Sequence, residues 1–231
     1  MTPRRNALGQ PIGAPLPDWK PRDAPLRARM EGRYCALEPA DPDRHAAQLD
    51  DAARADPDGR MWTYLPYGPF TEPSAYRRWM ETTCLGDDPL FFSVVDAGGR
   101  AVGMASYLRV DPAVGSVEVG HVQFTPALQR TRAATEAMYL MMRHVLGELG
   151  YRRYEWKCDA LNAPSRRAAE RLGFRFEGVF RQATLYKGRS RDTAWFSVLD
   201  SEWPALEERF TRWLDPANFD AAGRQRTRLR G

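Results

Sequence analysis

Thr125-Pro126-Ala127-Leu128-Gln129-Arg130-Thr131-Arg132-Ala133-Ala134-Thr135-Glu136-Ala137 reads as a tight turn between a strand ending at Phe124 and a helix running to Leu149. A strand that feeds a helix N-terminus in this way exposes successive backbone N–H groups, and the helix dipole adds partial positive charge. A pyrophosphate is the natural ligand of such a turn. Ala133 and Ala134 let the backbone come close, Arg130 and Arg132 can add charge-assisted hydrogen bonds, and Thr135 can add a hydroxyl. Further along, Asn162-x-x-Ser165 precedes Arg171-Leu172-Gly173-Phe174. Taken singly, Asn162 suits a helix cap, Ser165 a first-turn hydroxyl and Gly173 a helix stop. Glu118 and His121 are the titratable groups on the strand before the turn. Three residues apart on a strand, they point to opposite faces unless a bulge intervenes.

The elements that must hold these residues follow from periodicity and turn chemistry. Strands are expected at Gly32–Leu37, Leu90–Asp96, Arg100–Val110, Val114–Phe124, Arg153–Ala160, Phe174–Val179 and Thr193–Leu199. Helices are expected from Asp41-Pro42-Asp43, with Pro42 at the first helical position, and over Ser74–Leu85, Thr135–Leu149, Asn162 or Ala163 to Leu172, and Glu202–Leu214. Asp96-Ala97-Gly98-Gly99 is a hairpin turn. The order β-α-α-β-β-β-α-β-α-β-β is a mixed α/β chain, a meander followed by a βαβ unit. Residues 1–31 form a Pro-rich arm that excludes regular helix. Ile12, Leu16 and Trp19 are its apolar anchors if it packs on the body, and disorder is the other reading. The main domain spans 32–214, and a basic tail occupies 215–231.

The turn resembles the acyl-CoA signature of the GNAT family of N-acetyltransferases, Gln/Arg-x-x-Gly-x-Gly/Ala. Gln129 and Ala134 match its outer positions, and Arg132 stands where the family usually has Gly. Ala134-Thr135-Glu136-Ala137 resembles the helix start of the RimJ/RimL-like branch. Asn162-x-x-Ser165 with Arg171-Leu172-Gly173-Phe174 is similar to the family's Asn-x-x-Ser-x5-Lys/Arg-Leu-Gly-Phe motif, and Lys187–Leu199 looks like that branch's last hairpin. The likeness runs from about Gly32 to Glu202. It implies a central, mixed and largely antiparallel twisted sheet of about seven strands flanked by helices. It also implies acetyl-CoA as acyl donor, no metal, and direct attack by an amine without an acyl-enzyme.

From that resemblance the donor contacts are Gln123, Phe124, Gln129, Arg130, Thr131, Arg132, Ala133, Ala134, Thr135, Asn162 and Ser165. A free backbone N–H near Gln123 or Phe124 would polarise the thioester carbonyl. Glu118 is the first choice as general base, through water, with a structural carboxylate as its other reading. The family's usual tyrosine acid falls at Ala169, so Ser165 is the best substitute, ahead of Tyr186 and Tyr107. Trp62, Tyr64, Tyr67, Phe70 and His121 are the acceptor-side candidates. The aromatic run Met61–Phe70 reads either as a pocket wall or as a plug under the sheet.

Composition narrows the rest. The 231 residues carry a net charge of +4, and 43% are hydrophobic, enough to bury a core. Cys35, Cys84 and Cys158 lie far apart, with no CxxC pair and no Cys/His spacing for a metal. No run approaches a membrane span. Reduced thiols and no signal peptide imply a cytoplasmic home. The run Arg224–Arg230 reads as a solvated terminus rather than a nucleic-acid contact, and no RNA-binding or helix-turn-helix pattern supports one. The apolar stripe Trp203, Leu206, Phe210 and Trp213 suits core packing, or a homodimer. Two functional alternatives stay open: a non-catalytic CoA-binding sensor or interaction module, and a succinyl-CoA-dependent acyltransferase.

Overall fold

Leu90-Phe91-Phe92-Ser93-Val94-Val95 shows no polar alternation because both faces of its strand are covered. In the computed structural model, which describes residues 4–229, Phe91 packs on one side of a sheet and Phe92 on the other. The elements in chain order are β1 (Arg4–Arg5), β2 (Pro11–Ile12), β3 (Met30–Glu31), β4 (Cys35–Pro39), α1 (Pro42–Ala53), α2 (Pro73–Thr83), β5 (Leu90–Asp96), β6 (Ala101–Asp111), β7 (Ser116–Phe124), α3 (Arg132–Met142), β8 (Arg153–Asp159), α4 (Ala163–Arg171), β9 (Arg175–Tyr186), β10 (Arg189–Leu199) and α5 (Trp203–Leu214). Eight strands make one sheet in the order β3-β4-β5-β6-β7-β8-β10-β9, and β1 pairs with β2 apart from it. Only β7 and β8 run parallel; every other neighbouring pair is antiparallel.

The α/β expectation therefore holds, with one strand more than the seven expected. Short β3 adds an edge, and β9 runs on to Tyr186 rather than stopping at Val179. Extending β9 makes Lys187-Gly188 the tight turn into β10. α3 begins at Arg132, three residues earlier than the periodicity suggests, because Thr131 caps it: its Oγ1 accepts from Ala134 N at 3.1 Å. The helix then loosens into a π-type turn over Arg143–Glu148.

α3 and α5 cover one face of the sheet, α1 and α2 the other. Glu136 locks α3 to the sheet edge. Its carboxylate accepts from the N–H groups of Arg33 (2.9 Å), Tyr34 (2.5 Å) and Cys35 (3.0 Å). Gly32 is needed beside it, since a Cβ there would lie 2.5 Å from Glu136 Oε2. Trp203, Leu206, Phe210 and Trp213 of α5 are all core.

Segments near both ends of the described residues are tied down. Trp19 donates from Nε1 to Ala113 O (2.8 Å) and lies so close to the turn at Gly115 that a Cβ there would come within 2.4 Å of its ring. Ile12 and Leu16 anchor nothing; they stay largely exposed. The basic tail is not simply solvated: Trp213 Nε1 donates to Gln225 Oε1 (2.7 Å), Asn218 bonds to the backbone of Trp213 and Thr227, and Leu229 is buried.

Candidate functional site

β7 and β8 pair only from Ser116↔Arg153 to Val119↔Trp156. Beyond that register the parallel strands share no hydrogen bond, and a cleft of about 540 Å³ opens there. Gly120, His121 and Val122 line it from β7, Lys157, Cys158 and Asp159 from β8, and Asn162 and Ser165 from the start of α4. Parting strands leave main-chain N–H groups on the β8-facing side of residues 120–124 without a ladder partner.

Two bulges shape the cleft. On β7 two residues (His121 and Val122) stand opposite one on β6 (Ala105), and His121 takes a left-handed φ of 50°. The extra residue cancels the alternation that sets Glu118 and His121 on opposite faces, so both line the cleft. On β6 the bulge lies between Leu108 and Asp111 and puts Arg109 at φ 50°. Asp88 holds that strained turn, accepting from Arg109 N (2.8 Å) and Val110 N (3.1 Å). Arg109 Nη1 thereby reaches Glu118 Oε2 at 2.7 Å, and Lys157 Nζ meets the same oxygen at 2.9 Å.

Charges then alternate across the sheet. Lys157 also pairs with Glu155 (2.7 Å), Glu155 with Arg153 (2.6 Å), and Arg153 grips Glu177 with two nitrogens (2.8 and 2.6 Å). The Arg153 fork draws the Glu177 carboxyl down to about 2. Glu118 is thus a buried link in an ion-pair ladder that runs from Arg109 to Glu177.

His121 stacks on Tyr67 (centroids 5.7 Å, 14° between planes) and packs on Phe91 (4.9 Å). Burial, helped by Arg109, pushes its imidazole down to about 4, so it is neutral at pH 7. Its Nδ1 is buried without a partner among the described residues. Ser165 Oγ accepts from Trp156 Nε1 at 3.0 Å, and its own proton is available to donate, with the Cys158 sulfur as its neighbour. Asn162 Oδ1 caps α4 by accepting from Ser165 N (3.1 Å).

The turn 125–131 ends β7 with its backbone bonded to itself: Leu128 N and Gln129 N both donate to Thr125 O, at 2.9 and 3.0 Å. Arg130 takes the left-handed φ of 62°, and Arg132 does not. Glycine at 132 is therefore not required by the backbone. Arg132 and Ala133 open α3 with N–H groups that have no partner inside the helix.

An acetyltransferase (GNAT) domain model matches residues 36–175. The chain belongs to the GNAT acetyltransferase family. It is 48% identical to a GCN5-related N-acetyltransferase from Brucella melitensis whose crystal structure superposes with a TM-score of 0.91, over 93% of this chain and 97% of that one. A probable GNAT-family acetyltransferase from Chromobacterium violaceum is 41% identical, with a TM-score of 0.78 over 84% of this chain and 98% of that one. An uncharacterized N-acetyltransferase of Bacillus subtilis is 26% identical over 158 residues, 63% of this chain and 84% of its own length.

Within this GNAT chain, several residues expected to touch the donor are spent on the protein itself. Gln129 Nε2 closes its own turn onto Phe124 O (2.8 Å). Arg132 lays its guanidinium over the rings of Tyr34 (4.9 Å) and Phe219 (4.7 Å). Thr135 Oγ1 accepts from Arg171 Nη1 (3.1 Å), and the Gln123 side chain is buried, donating to Tyr76 Oη (2.7 Å). Among the described residues of the turn, only Arg130 keeps an exposed guanidinium without a partner; the rest of what the turn presents is main chain. None of residues 129–135 lines the 540 Å³ cleft; the turn lies at the end of β7 beyond it.

The aromatic candidates divide as well. Tyr64 lines the cleft and donates to Leu161 O (3.2 Å). Tyr67 backs His121. Trp62 and Phe70 meet edge to face (5.4 Å, 89°) against α1 and α2 and line a separate cavity of about 330 Å³ rather than the cleft. Tyr107 is buried and bonded to Met141 O (2.8 Å), away from the cleft. Tyr186 lines it, donating to Asp159 Oδ2 (2.7 Å). Ala169, at the family's tyrosine position, is fully buried. Sequence reasoning missed Asp88, Arg109 and Lys157, because no local pattern marks them; each is set by register and bulge.

Proposed function

We propose that this GNAT chain transfers the acetyl group of acetyl-CoA to a primary amine by direct attack, with the RimJ/RimL-like enzymes as its branch. The observation that carries the reading is the parting of β7 from β8 after Val119, directly between the α3 N-terminus and the Asn162 cap. Free N–H groups of residues 120–124 would polarise the thioester carbonyl. The Ala134-Thr135-Glu136-Ala137 helix start and the Arg191-Asp192 pair support the branch. Three buried free thiols fit a reducing, cytoplasmic setting.

Neutral amine nitrogen attacks the carbonyl carbon, the C–S bond breaks, and the thiolate leaves. Glu118 takes the amine proton through water. Arg109 and Lys157 both sit on Oε2, so the proton is received at Oε1. Ser165 gives its proton to the thiolate, while Trp156 N–H steadies the oxygen left behind.

Thermal melting with acetyl-CoA, free CoA, succinyl-CoA and NADPH tests the donor. Acetyl-CoA and CoA at a hundredfold excess over Kd should add about 2.7 kcal/mol, visible as a rise in Tm, and NADPH should add nothing. Absence of a shift with every CoA species ends the proposal. Thiol release across amines and peptides then separates an enzyme from a CoA sensor.

A further inference from the structure

Positive charge in the cleft is matched everywhere except at one residue. Arg109 and Lys157 are both paired with Glu118. Asp159 is satisfied by Tyr186 Oη and Leu161 N. Arg191 also lines the cleft and is half-buried, yet among the described residues its guanidinium has no ion pair and no hydrogen bond. Its Nε is sealed from solvent with no partner among the described residues, and the groups beside it are the Tyr186 ring at 6.0 Å and the Cys158 thiol, neither of them a counter-charge. Removing a cation from water without a counter-charge is costly, so the native fold is short of an anion at this point.

Arg191 does not stand alone. Thr193 and Trp195 line the cleft on the same face of β10, at the two-residue period of a strand. Ala194 and Phe196, which alternate with them, lie in the core under α3 and α5. The row therefore faces the α1–α2 side of the sheet, away from α3 and its phosphate-binding turn. Trp195 is clamped between Phe180 (4.5 Å) and Lys157 Nζ (3.8 Å), and its indole N–H also lacks a partner. Among the described residues the guanidinium Nε and the indole N–H thus lack acceptors, with the Thr193 hydroxyl between them on the same row.

We propose that Arg191, with Thr193 beside it, binds a carboxylate on the amine acceptor, so that the acceptors are amino acids or related amines bearing a carboxylate. The planar guanidinium fork matches a carboxylate in two parallel hydrogen bonds. This rests on the acetyl-transfer reading above. The pantetheine arm of the donor has no charge to offer, which leaves the acceptor or a charged acyl group as the source of the anion. The acceptor is favoured because the row faces the Tyr64 side of the cleft.

Titration of the full-length protein, free and saturated with CoA, with a panel of N-acetyl amino acids and the matching N-acetyl amino amides tests it. At least one carboxylate should bind about tenfold or more tighter than its amide. Arg191→Gln should erase that preference and Arg191→Lys keep part of it, with the acetyl-CoA Kd within about twofold in both. If no carboxylate outbinds its amide, or the preference survives in Arg191→Gln, the proposal is overturned. A further arm compares succinyl-CoA with acetyl-CoA. Should Arg191→Gln weaken succinyl-CoA tenfold while the amide comparison is unmoved, the carboxylate belongs to the acyl group and the acceptor assignment fails. A wild-type protein that ignores acetyl-CoA defeats the donor reading alone, since the carboxylate preference is read on the free protein too.

Discussion

The two ends of the site are made from different materials. At the donor end, residues 125–135 are contiguous, and what they present is main chain: the side chains of Gln129, Arg132 and Thr135 are turned to the turn itself, to Tyr34 and Phe219, and to Arg171. At the proposed acceptor end, Arg109, Glu118, Lys157 and Arg191 come from four strands, and their side chains line the cleft. A backbone site tolerates an unusual residue such as Arg132. A side-chain site depends on register, and here on two bulges.

That contrast is open to attack from both ends. Glu136 is the donor helix's exception, a side chain that the fold needs. Glu136→Ala leaves three backbone donors without acceptors at about 1–3 kcal/mol each; chemical denaturation should show a loss of roughly 3 kcal/mol or more. At the acceptor end, His121 is held neutral down to about 4 in the folded chain by burial and Arg109, whereas the unfolded chain takes up a proton near 6.5. Stability should therefore fall as pH drops from about 6.5 to 4 and level off below, by on the order of 3 kcal/mol. His121→Phe keeps the stack on Tyr67 and should flatten that window in urea titrations between pH 4 and 8. Glu118→Gln should cut turnover about a hundredfold and leave acetyl-CoA affinity within about twofold; unchanged turnover would remove Glu118 as base. The smallest effect belongs to Arg132→Gly, since its guanidinium is stacked away from the turn. Calorimetry should find the acetyl-CoA Kd changed by less than about threefold, and a tenfold loss would show that the donor end relies on side chains after all.

Legibility followed the same divide. The donor turn could be read because strand end, cap and helix start are consecutive, and only the cap was misplaced: Thr131 opens α3, not Thr135. The second half of β9 was invisible. It is an exposed edge without apolar alternation, interrupted by Gln182 at φ 50°. Arg109 and Lys157 carry no local signature, since what makes them matter is a partner on the next strand. Strand period set Glu118 and His121 on opposite faces; one inserted residue reversed that, and nothing in Gly120-His121-Val122 announces it.

The loop after α1 and the β9–β10 hairpin meet over the cleft through backbone carbonyls: Lys187 Nζ donates to Trp62 O (2.8 Å) and Arg189 Nη2 to Thr63 O (2.6 Å). A fastening that uses main-chain oxygens is indifferent to which side chains the loop carries. Tyr64 and Leu65 can therefore be exchanged without undoing the closure, so the wall of the cleft is free to change while the frame around it stays put.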